Sequence, residues 1–168
     1  MYYTVFPSEI GKIFLAKTQK GLTFAHFLRK DEDIKSVLHF FKKKDLPIER
    51  NDNKFKLEKS LFSRYFSGKQ EDFTSLSIDF LSGTPFQRKV WLETRKIPFG
   101  KTETYKSVAL KMNNRGFRSI GQALSKNPIL IVIPCHRVLC SDGSLGGFSA
   151  GLELKKFLLS LEKGGNQS

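Results

Sequence analysis

Cysteine is scarce in this sequence of 168 residues, which contains only Cys135 and Cys140. Two cysteines are too few for a disulfide framework, and such scarcity is typical of proteins from a reducing compartment. Long apolar runs are also lacking, since none approaches the ~20 residues that span a bilayer. The first residues do not show the basic-then-apolar pattern of a secretion signal. We therefore expect a cytoplasmic protein that has no membrane partner.

Acidic residues are in short supply relative to basic ones. The sequence has 16 Asp and Glu against 29 Lys and Arg, for a net charge of +13. Residues 1–84 hold 15 basic and 11 acidic side chains (+4), and residues 85–168 hold 14 and 5 (+9). This excess favours a polyanionic partner such as nucleic acid. The charge alone is equally compatible with an ordinary basic surface that contacts only solvent.

The first half of the chain has the pattern of a small sheet with helices. Short apolar stretches punctuated by Gly11 and Gly21 predict an antiparallel meander, and helical periodicity follows. The predicted strands are residues 3–6, 12–16 and 22–28, and the predicted helices are residues 34–44 and 55–66. Residues 76–80 predict an edge strand. We expect the helices on one side of the sheet and a domain boundary at residues 82–83.

The second half is predicted to be mostly helical. Thr84-Pro85 begins a helix with proline in the first turn, where its missing N–H costs nothing. Thr104 is the expected N-cap of a helix over residues 105–112, and another helix follows over residues 115–126. Two short helices joined by a polar turn that contains glycine are typical of a helix-turn-helix. A helical hairpin inside a core has the same pattern.

The helix over residues 115–126 has two different faces. The stripe predicted to point inward consists of Phe117, Ile120, Gly121 and Leu124. The outward positions are Arg118, Ser119, Gln122 and Lys126. Such a small and basic surface can approach a groove closely, with Arg118 as the long side chain near the helix start.

The main chemical signal lies around Cys135. The apolar run of residues 129–133 is bounded by Pro128 and Pro134, which predicts a buried, extended segment leading to Cys135 and His136. A buried cysteine is ordinarily inert, so a reactive one needs a group that stabilises its thiolate.

Glu162 is a candidate for that support. It falls one turn after Leu158 at the edge of the apolar face of the last helix. A chain from Glu162 through His136 and a water to Cys135 would orient the imidazole and draw the proton from sulfur. Taken singly, the three residues have ordinary structural explanations. Cys135 equally suits a small core side chain, His136 a hydrogen-bonded turn residue, and Glu162 a solvated helix end.

The residues around Cys135 resemble a known family. Ile133-Pro134-Cys135-His136-Arg137-Val138 is similar to the active-site motif of the O6-alkylguanine-DNA alkyltransferases, also called methylated-DNA–protein-cysteine methyltransferases. The similarity continues in order through residues 83–162. Its further segments are Gly83-Thr84-Pro85-Phe86-Gln87, Val90-Trp91, Ile97-Pro98-Phe99-Gly100, Arg118-Ser119-Ile120-Gly121-Gln122-Ala123, Asn127-Pro128 and Gly146-Gly147-Phe148-Ser149-Ala150-Gly151-Leu152. Several ordered motifs are far more specific than one short match.

The resemblance implies an α/β (α+β) fold in two domains. Residues 1–82 would form a ribonuclease-H-like antiparallel sheet with helices, and residues 83–168 a winged-helix-like, mostly α domain with the helix-turn-helix. The implied activity is DNA repair by direct reversal, in which the alkyl group of O6-alkylguanine passes irreversibly to Cys135, once per molecule. O4-alkylthymine is a further candidate lesion. The implied partner is double-stranded DNA, bound in the minor groove by a monomer with base flipping, and no metal or diffusible cofactor is implied.

The resemblance also assigns roles to individual residues. Cys135 would attack the alkyl carbon with support from His136 and Glu162, while Asn127 would link the helix-turn-helix to the active-site segment. Tyr105 would press on a phosphate and contact the extruded base.

The remaining assignments concern the base and the DNA. Arg118 would enter the stack in place of the extruded guanine. The carbonyls of Cys135 and Val138 would accept from the guanine amine, and the N–H of Ser149 would reach O6. Further base or DNA contacts are implied for Ser119, Gln122, Ala123, Arg137 and Phe148.

Three departures from the family pattern are visible. Phe148 stands where many members have tyrosine, so the hydroxyl that would assist the leaving guanine is absent, and Ser119 replaces a common alanine. Residues 1–84 contain none of the zinc-binding cysteines of some members. Two other functions stay open: a non-catalytic module that binds alkylated DNA, and a cysteine hydrolase built on Cys135, His136 and Glu162.

Overall fold

A computed structural model of the chain describes residues 1–30 and 32–164. Its strands are β1 (Tyr2–Ser8), β2 (Gly11–Lys17), β3 (Leu22–Leu28), β4 (Glu49–Arg50), β5 (Glu103–Thr104) and β6 (Val138–Leu139). Its α-helices are α1 (Glu32–Lys43), α2 (Lys56–Phe66), α3 (Pro85–Thr94), α4 (Tyr105–Lys111), α5 (Phe117–Leu124) and α6 (Leu152–Gly164). Short 3-10 segments lie at Asp52–Phe55 and Cys135–Arg137. No helix within the described ranges is long and apolar enough to cross a membrane.

The first half contains the predicted meander. Strands β1, β2 and β3 pair antiparallel, and the sheet has the order β3-β2-β1-β4. The short strand β4 pairs parallel to β1 and was not predicted, because its two residues are exposed and charged and carry no apolar alternation. The strands β5 and β6 form a separate parallel pair in the second half.

Helices cover both faces of this sheet, so the expectation of a one-sided arrangement is wrong. The central strand β2 is buried on both sides, with Ile13 and Leu15 in one apolar cluster and Phe14 and Ala16 in another. Side chains of α1 complete the second cluster, whereas α2 and much of the second half complete the first. A continuous apolar strand without alternation needs cover on both faces, and this is the pattern of β2.

The predicted edge strand at residues 76–80 is reduced to one bridge. Ile78 pairs parallel with Leu22, where the N–H of Leu22 reaches the Ser77 carbonyl at 2.8 Å and the N–H of Asp79 reaches the Leu22 carbonyl at 2.9 Å. The segment crosses the start of β3 and leaves the sheet again, so no regular ladder forms.

The helix-turn-helix prediction is confirmed in α4 and α5. Thr104 caps α4 by accepting the N–H of Ser107 at 3.0 Å, as predicted. Thr84 begins α3 with a full capping box, in which Gln87 is the reciprocal partner. The Trp91 indole of α3 donates to the Ala123 carbonyl of α5 at 2.8 Å and so fixes α3 against α5.

One residue of the predicted inward stripe of α5 points outward. Ile120 and Leu124 are buried, but Phe117 is 54% exposed. Because α5 begins at Phe117, its ring extends beyond the packed part of the helix. The inward assignment of Phe117 is therefore wrong.

The apolar run of residues 129–133 is buried as predicted, but it is a loop and not an extended strand. The N–H of Ile133 reaches the Ile129 carbonyl at 2.9 Å, and Ile131 has a φ of +71°, a conformation that β-branched residues rarely adopt. Only its first residues pair with the sheet: Ala25 of β3 donates to Pro128 and accepts from Leu130, both at 3.0 Å.

We predict that Gly83 does not tolerate a side chain. Its φ is +94°, and a Cβ there would lie 2.5 Å from two carbons of the buried Trp91 ring. Strain and overpacking together should make Gly83→Ala less stable by about 2 kcal/mol or more. Urea unfolding measures the loss. Gly164→Ala is the matched control, since a Cβ there meets nothing within 4 Å; equal stability of the two variants would contradict the prediction.

Candidate active site

Asn127 shapes the segment that carries Cys135. Its Oδ1 accepts the N–H of Ile129 at 2.9 Å, and its Nδ2 donates to the Ile133 carbonyl at 2.9 Å. The same Nδ2 also donates to Sγ of Cys135 at 3.1 Å. One buried side chain therefore closes the loop of residues 129–133 and contacts the sulfur.

Cys135 is 4% exposed in the 3-10 turn that follows this loop. Burial raises the pKa of its thiol from 9.0 to about 11, although the Asn127 hydrogen bond and the Lys155 ammonium act in the opposite direction. The resting residue is therefore a protonated thiol at neutral pH. To act as a nucleophile it needs a neighbouring group that takes the proton.

The carboxylate of Glu162 is the centre of a buried network behind the cysteine. Its Oε1 accepts from the Tyr65 hydroxyl at 2.7 Å and lies 2.6 Å from Nε2 of His136. Arg137 donates from Nε to Oε2 at 2.9 Å and from Nη2 to Oε1 at 3.0 Å, and the N–H of Gly100 reaches Oε2 at 3.1 Å. Burial opposes ionisation, but the hydrogen bonds from His136 and Arg137 outweigh it and lower the pKa of Glu162 from 4.5 to about 2. Glu162 is therefore ionised at neutral pH.

The protonation of His136 follows from its neighbours. Burial lowers the pKa of the imidazole below 6.5, against the opposing effect of Glu162. Because Arg137 already balances the charge of Glu162, we assign a neutral His136 whose Nε2–H donates to the carboxylate. Its Nδ1 is then an acceptor, and this buried atom has no hydrogen-bond partner within the described chain.

A buried lysine fixes the loop that follows β6. Nζ of Lys155 donates to the carbonyl of Val138 at 2.7 Å and to that of Gly147 at 3.4 Å, and also to that of Leu145. Burial lowers the pKa of Lys155 from 10.5. Its ammonium also favours the thiolate of Cys135, so one side chain supports both the loop and the sulfur.

A cavity of about 510 Å³ includes Cys135 in its wall, a volume suited to a small organic molecule. Five of the predicted site residues line it: Tyr105, Arg118, Cys135, Phe148 and Ser149. They come from α4, α5, the active-site turn and the loop after β6, which the fold brings together. A larger cavity of about 790 Å³, between β3, α1 and the start of α6, does not include Cys135.

The backbone groups expected to read the base keep hydrogen-bonding capacity for a ligand, although Val138, unlike Cys135 and Ser149, does not line the cavity. The Cys135 carbonyl accepts the N–H of Val138, and the Val138 carbonyl accepts from Lys155. A carbonyl has two lone pairs, so each retains a second acceptor site. The N–H of Ser149 donates to no acceptor among residues 1–30 and 32–164.

Two residues expected to contact DNA have buried side chains. Ala123 is 2% exposed and packs in the core. Arg137 is also 2% exposed, and besides Glu162 it binds the Ile97 carbonyl at 2.6 Å. Both side chains lie inside the protein, and their expected contact with DNA stays a prediction. By contrast Arg118 and Gln122 are exposed on α5, and Ser119 is partly exposed.

Sequence reasoning missed Tyr65 and Lys155. Lys155 lies seven residues before Glu162, which places both on one face of α6 together with Leu158. Two charged residues on an apolar face were a readable signal of a buried polar site. Tyr65 gave no such signal, because it belongs to the apolar stripe of α2 and only its hydroxyl is polar.

Comparisons with known proteins agree over nearly the whole chain. A family model described as "6-O-methylguanine DNA methyltransferase, ribonuclease-like domain" matches residues 1–80, and one described as "6-O-methylguanine DNA methyltransferase, DNA binding domain" matches residues 85–164. The chain is 40% identical to the methylated-DNA–protein-cysteine methyltransferase of Methanosarcina barkeri, over 97% of this chain and 98% of that protein. It is 37% identical to the Haemophilus influenzae protein of that name, over 97% and 87%.

A solved structure agrees as well. The crystal structure of Mycobacterium tuberculosis OGT in complex with DNA has a TM-score of 0.84 and 31% identity to this chain, and the match covers 98% of this chain and 94% of that one. Since both halves of the sequence and the whole fold match, the chain belongs to the 6-O-methylguanine DNA methyltransferase family.

Proposed function

We propose that this protein repairs O6-alkylguanine in double-stranded DNA by moving the alkyl group to Sγ of Cys135. The observation that carries the proposal is the position of Cys135 in the wall of a cavity of about 510 Å³, with the hydrogen-bonded pair of His136 and Glu162 behind it. Family membership supplies the substrate class. The site supplies a nucleophile, a proton acceptor and a space for a purine.

The first step is removal of the thiol proton. A pKa of about 11 leaves the thiol protonated at neutral pH, so the sulfur depends on a base. Nδ1 of His136 is the acceptor, because Nε2 carries its proton toward Glu162. No direct hydrogen bond joins Sγ and Nδ1 within the described residues, so a water relays the proton between them. The resulting imidazolium is stabilised by the carboxylate of Glu162.

The second step is an in-line displacement at the alkyl carbon. Sγ forms the new bond to carbon with its electron pair, and the bond between carbon and O6 breaks with its pair going to the guanine. The departing guanine then takes up the proton that left the sulfur, which His136 gives back by way of water, and the imidazole returns to its neutral form. The product is a thioether, which has no easy leaving group. Each molecule therefore acts once.

Backbone groups read the base in this proposal. The free N–H of Ser149 donates to O6 and stabilises the charge that develops there as the bond breaks. The second lone pairs of the Cys135 and Val138 carbonyls accept from the guanine amine. Lys155 keeps the Val138 carbonyl and the loop after β6 in place for these contacts.

DNA binding falls to the exposed side of α5. Its outward side chains Arg118 and Gln122 face a minor groove, Arg118 fills the gap left by the extruded guanine, and Tyr105 contacts the extruded base.

One chain contains every group named, so we propose a monomer that acts in the cytoplasm, where a reducing environment keeps Cys135 as a free thiol. We also propose domains at residues 1–82 and 83–168, with O4-alkylthymine as a second lesion.

We predict that one methyl group is gained per protein on exposure to O6-methylguanine DNA, and that Cys135→Ala gains none. The alanine removes Sγ of Cys135, the atom that we propose accepts the methyl group; Cys140 lines the same cavity and is tested separately. Peptide mass spectrometry measures the gain and locates it. Cys140→Ala is the matched control and should still be methylated at Cys135. Lesion binding without transfer would support the non-catalytic module instead, and repeated turnover on an ester or amide would support a hydrolase.

The rate of transfer from free O6-benzylguanine should depend on pH through His136. Burial lowers the pKa of His136 below 6.5, so its Nδ1 stays available at neutral pH and becomes protonated only in more acidic solution. We predict a rate that is level from about pH 7 to about pH 9 and falls only at a pH below the ordinary imidazole value of 6.5. Rapid-quench kinetics measures it. A rate that rises tenfold with each pH unit through this range would show simple ionisation of the thiol and contradict the role of His136.

Arg118→Ala should weaken repair of duplex DNA much more than reaction with free O6-benzylguanine. Extrusion of a base from a duplex costs a few kcal/mol, so loss of the side chain that fills the gap should slow duplex repair by about tenfold or more. The free base needs no extrusion. Arg115→Ala is the control, because it removes the same charge from an exposed residue just before α5. Equal losses on both substrates would contradict the assigned role of Arg118.

A further inference from the structure

Phe117 is an exposed aromatic side chain in the wall of the cavity that contains Cys135. It is the first residue of α5 and 54% exposed. The other two aromatic side chains of this cavity, Tyr105 and Phe148, pack against the main core, whereas Phe117 does not belong to that core. No other aromatic ring of the described chain stacks on it.

A single exposed phenylalanine is common on protein surfaces and needs no explanation by itself. The position of Phe117 is what makes it informative. It precedes Arg118, the proposed replacement for the extruded base, and its ring borders the space into which that base moves. The outward face of α5 is otherwise small or polar, so this ring is the one large apolar group that α5 exposes.

The position of the Phe117 ring indicates whether it contacts the DNA stack or the base that enters the cavity. Extrusion of one nucleotide leaves a gap one base wide in the stack, and the proposed function assigns this gap to Arg118. Phe117 lies on the cavity wall beside it, so the molecule that its ring meets is the one that enters the cavity.

We infer that Phe117 is an aromatic lip of the cavity, whose ring stacks on the extruded alkylguanine. This inference rests on the proposed function and adds a positioning residue to it. An extruded base loses its stacking partners in the duplex, and an aromatic side chain offers a new one. Because every base has a π-face, the ring holds the base without identifying it. Identification stays with the backbone groups around Cys135.

The lip predicts a particular pattern of substrate effects. A ring that stacks on the base in the cavity acts on any alkylguanine that enters, whether it comes from a duplex or as a free base. Phe117→Ala should therefore slow transfer from O6-methylguanine duplex DNA and from free O6-benzylguanine by about tenfold each. A tenfold change corresponds to about 1.4 kcal/mol, within the range for one stack between a base and an aromatic side chain.

Two further variants separate stacking from simple apolar contact. Phe117→Trp keeps a π-face and should restore most of the rate on both substrates. Phe117→Leu is apolar without a π-face and should stay near the alanine level. Leu110→Ala is the control, since Leu110 is 61% exposed on α4 and does not line the cavity; its rate should equal that of the unmodified protein.

The outcomes are distinguishable. A Phe117→Ala rate equal to that of the unmodified protein, or full restoration by leucine, would overturn the lip. A loss confined to duplex DNA would also overturn it and assign Phe117 to the DNA stack. These results leave alkyl transfer to Cys135 intact in the unmodified protein, whereas absence of transfer there would contradict the proposed function and the lip with it.

Discussion

The ionised carboxylate of Glu162 is buried in the middle of the protein, and the rest of the site depends on how its charge is satisfied. An unpaired carboxylate in this position would be very unfavourable, and removal of one partner from a buried ion pair costs about 3–5 kcal/mol. The groups that satisfy it come from α2, the loop after α3 and the active-site turn, and α6 carries Glu162 itself. The carboxylate that orients His136 therefore also connects several segments of the fold. The contacts that stabilise the fold thus keep the proposed base in position.

The N-terminal sheet takes part in positioning the nucleophile. Its edge strand β3 pairs through Ala25 with the start of the loop that precedes Cys135, and Tyr65 of α2 donates to Glu162. The main apolar cluster contains residues of both halves of the chain, whereas the cluster on the other face of the sheet consists of first-half residues. Cys135 and its base are thus held from both sides, by Asn127 and α6 in the second half and by β3 and α2 in the first.

Buried charges change the meaning of the net charge. The second half carries an excess of +9 by sequence (14 basic minus 5 acidic side chains), but Arg137 and Lys155 are inside the protein and bind a carboxylate or backbone carbonyls. Their charges act on Glu162 and Cys135 and are not presented to a polyanion. The basic surface available to DNA rests on exposed residues such as Arg118 and Lys126. A charge count cannot make this distinction, because it does not record which side of a helix faces the core.

The sequence by itself determined the meander and the helix-turn-helix and pointed to the proposed nucleophile, because strand and helix periodicity, the caps Thr84 and Thr104 and the residues around Cys135 are local signals. Only the tertiary structure decided that helices cover both faces of the sheet and that residues 129–133 form a loop. It also decided that Arg137 turns inward and Phe117 outward. The physical reason is that periodicity gives the direction of a side chain relative to its own helix or strand. What that direction meets, whether core, cavity or solvent, depends on segments far away in the chain.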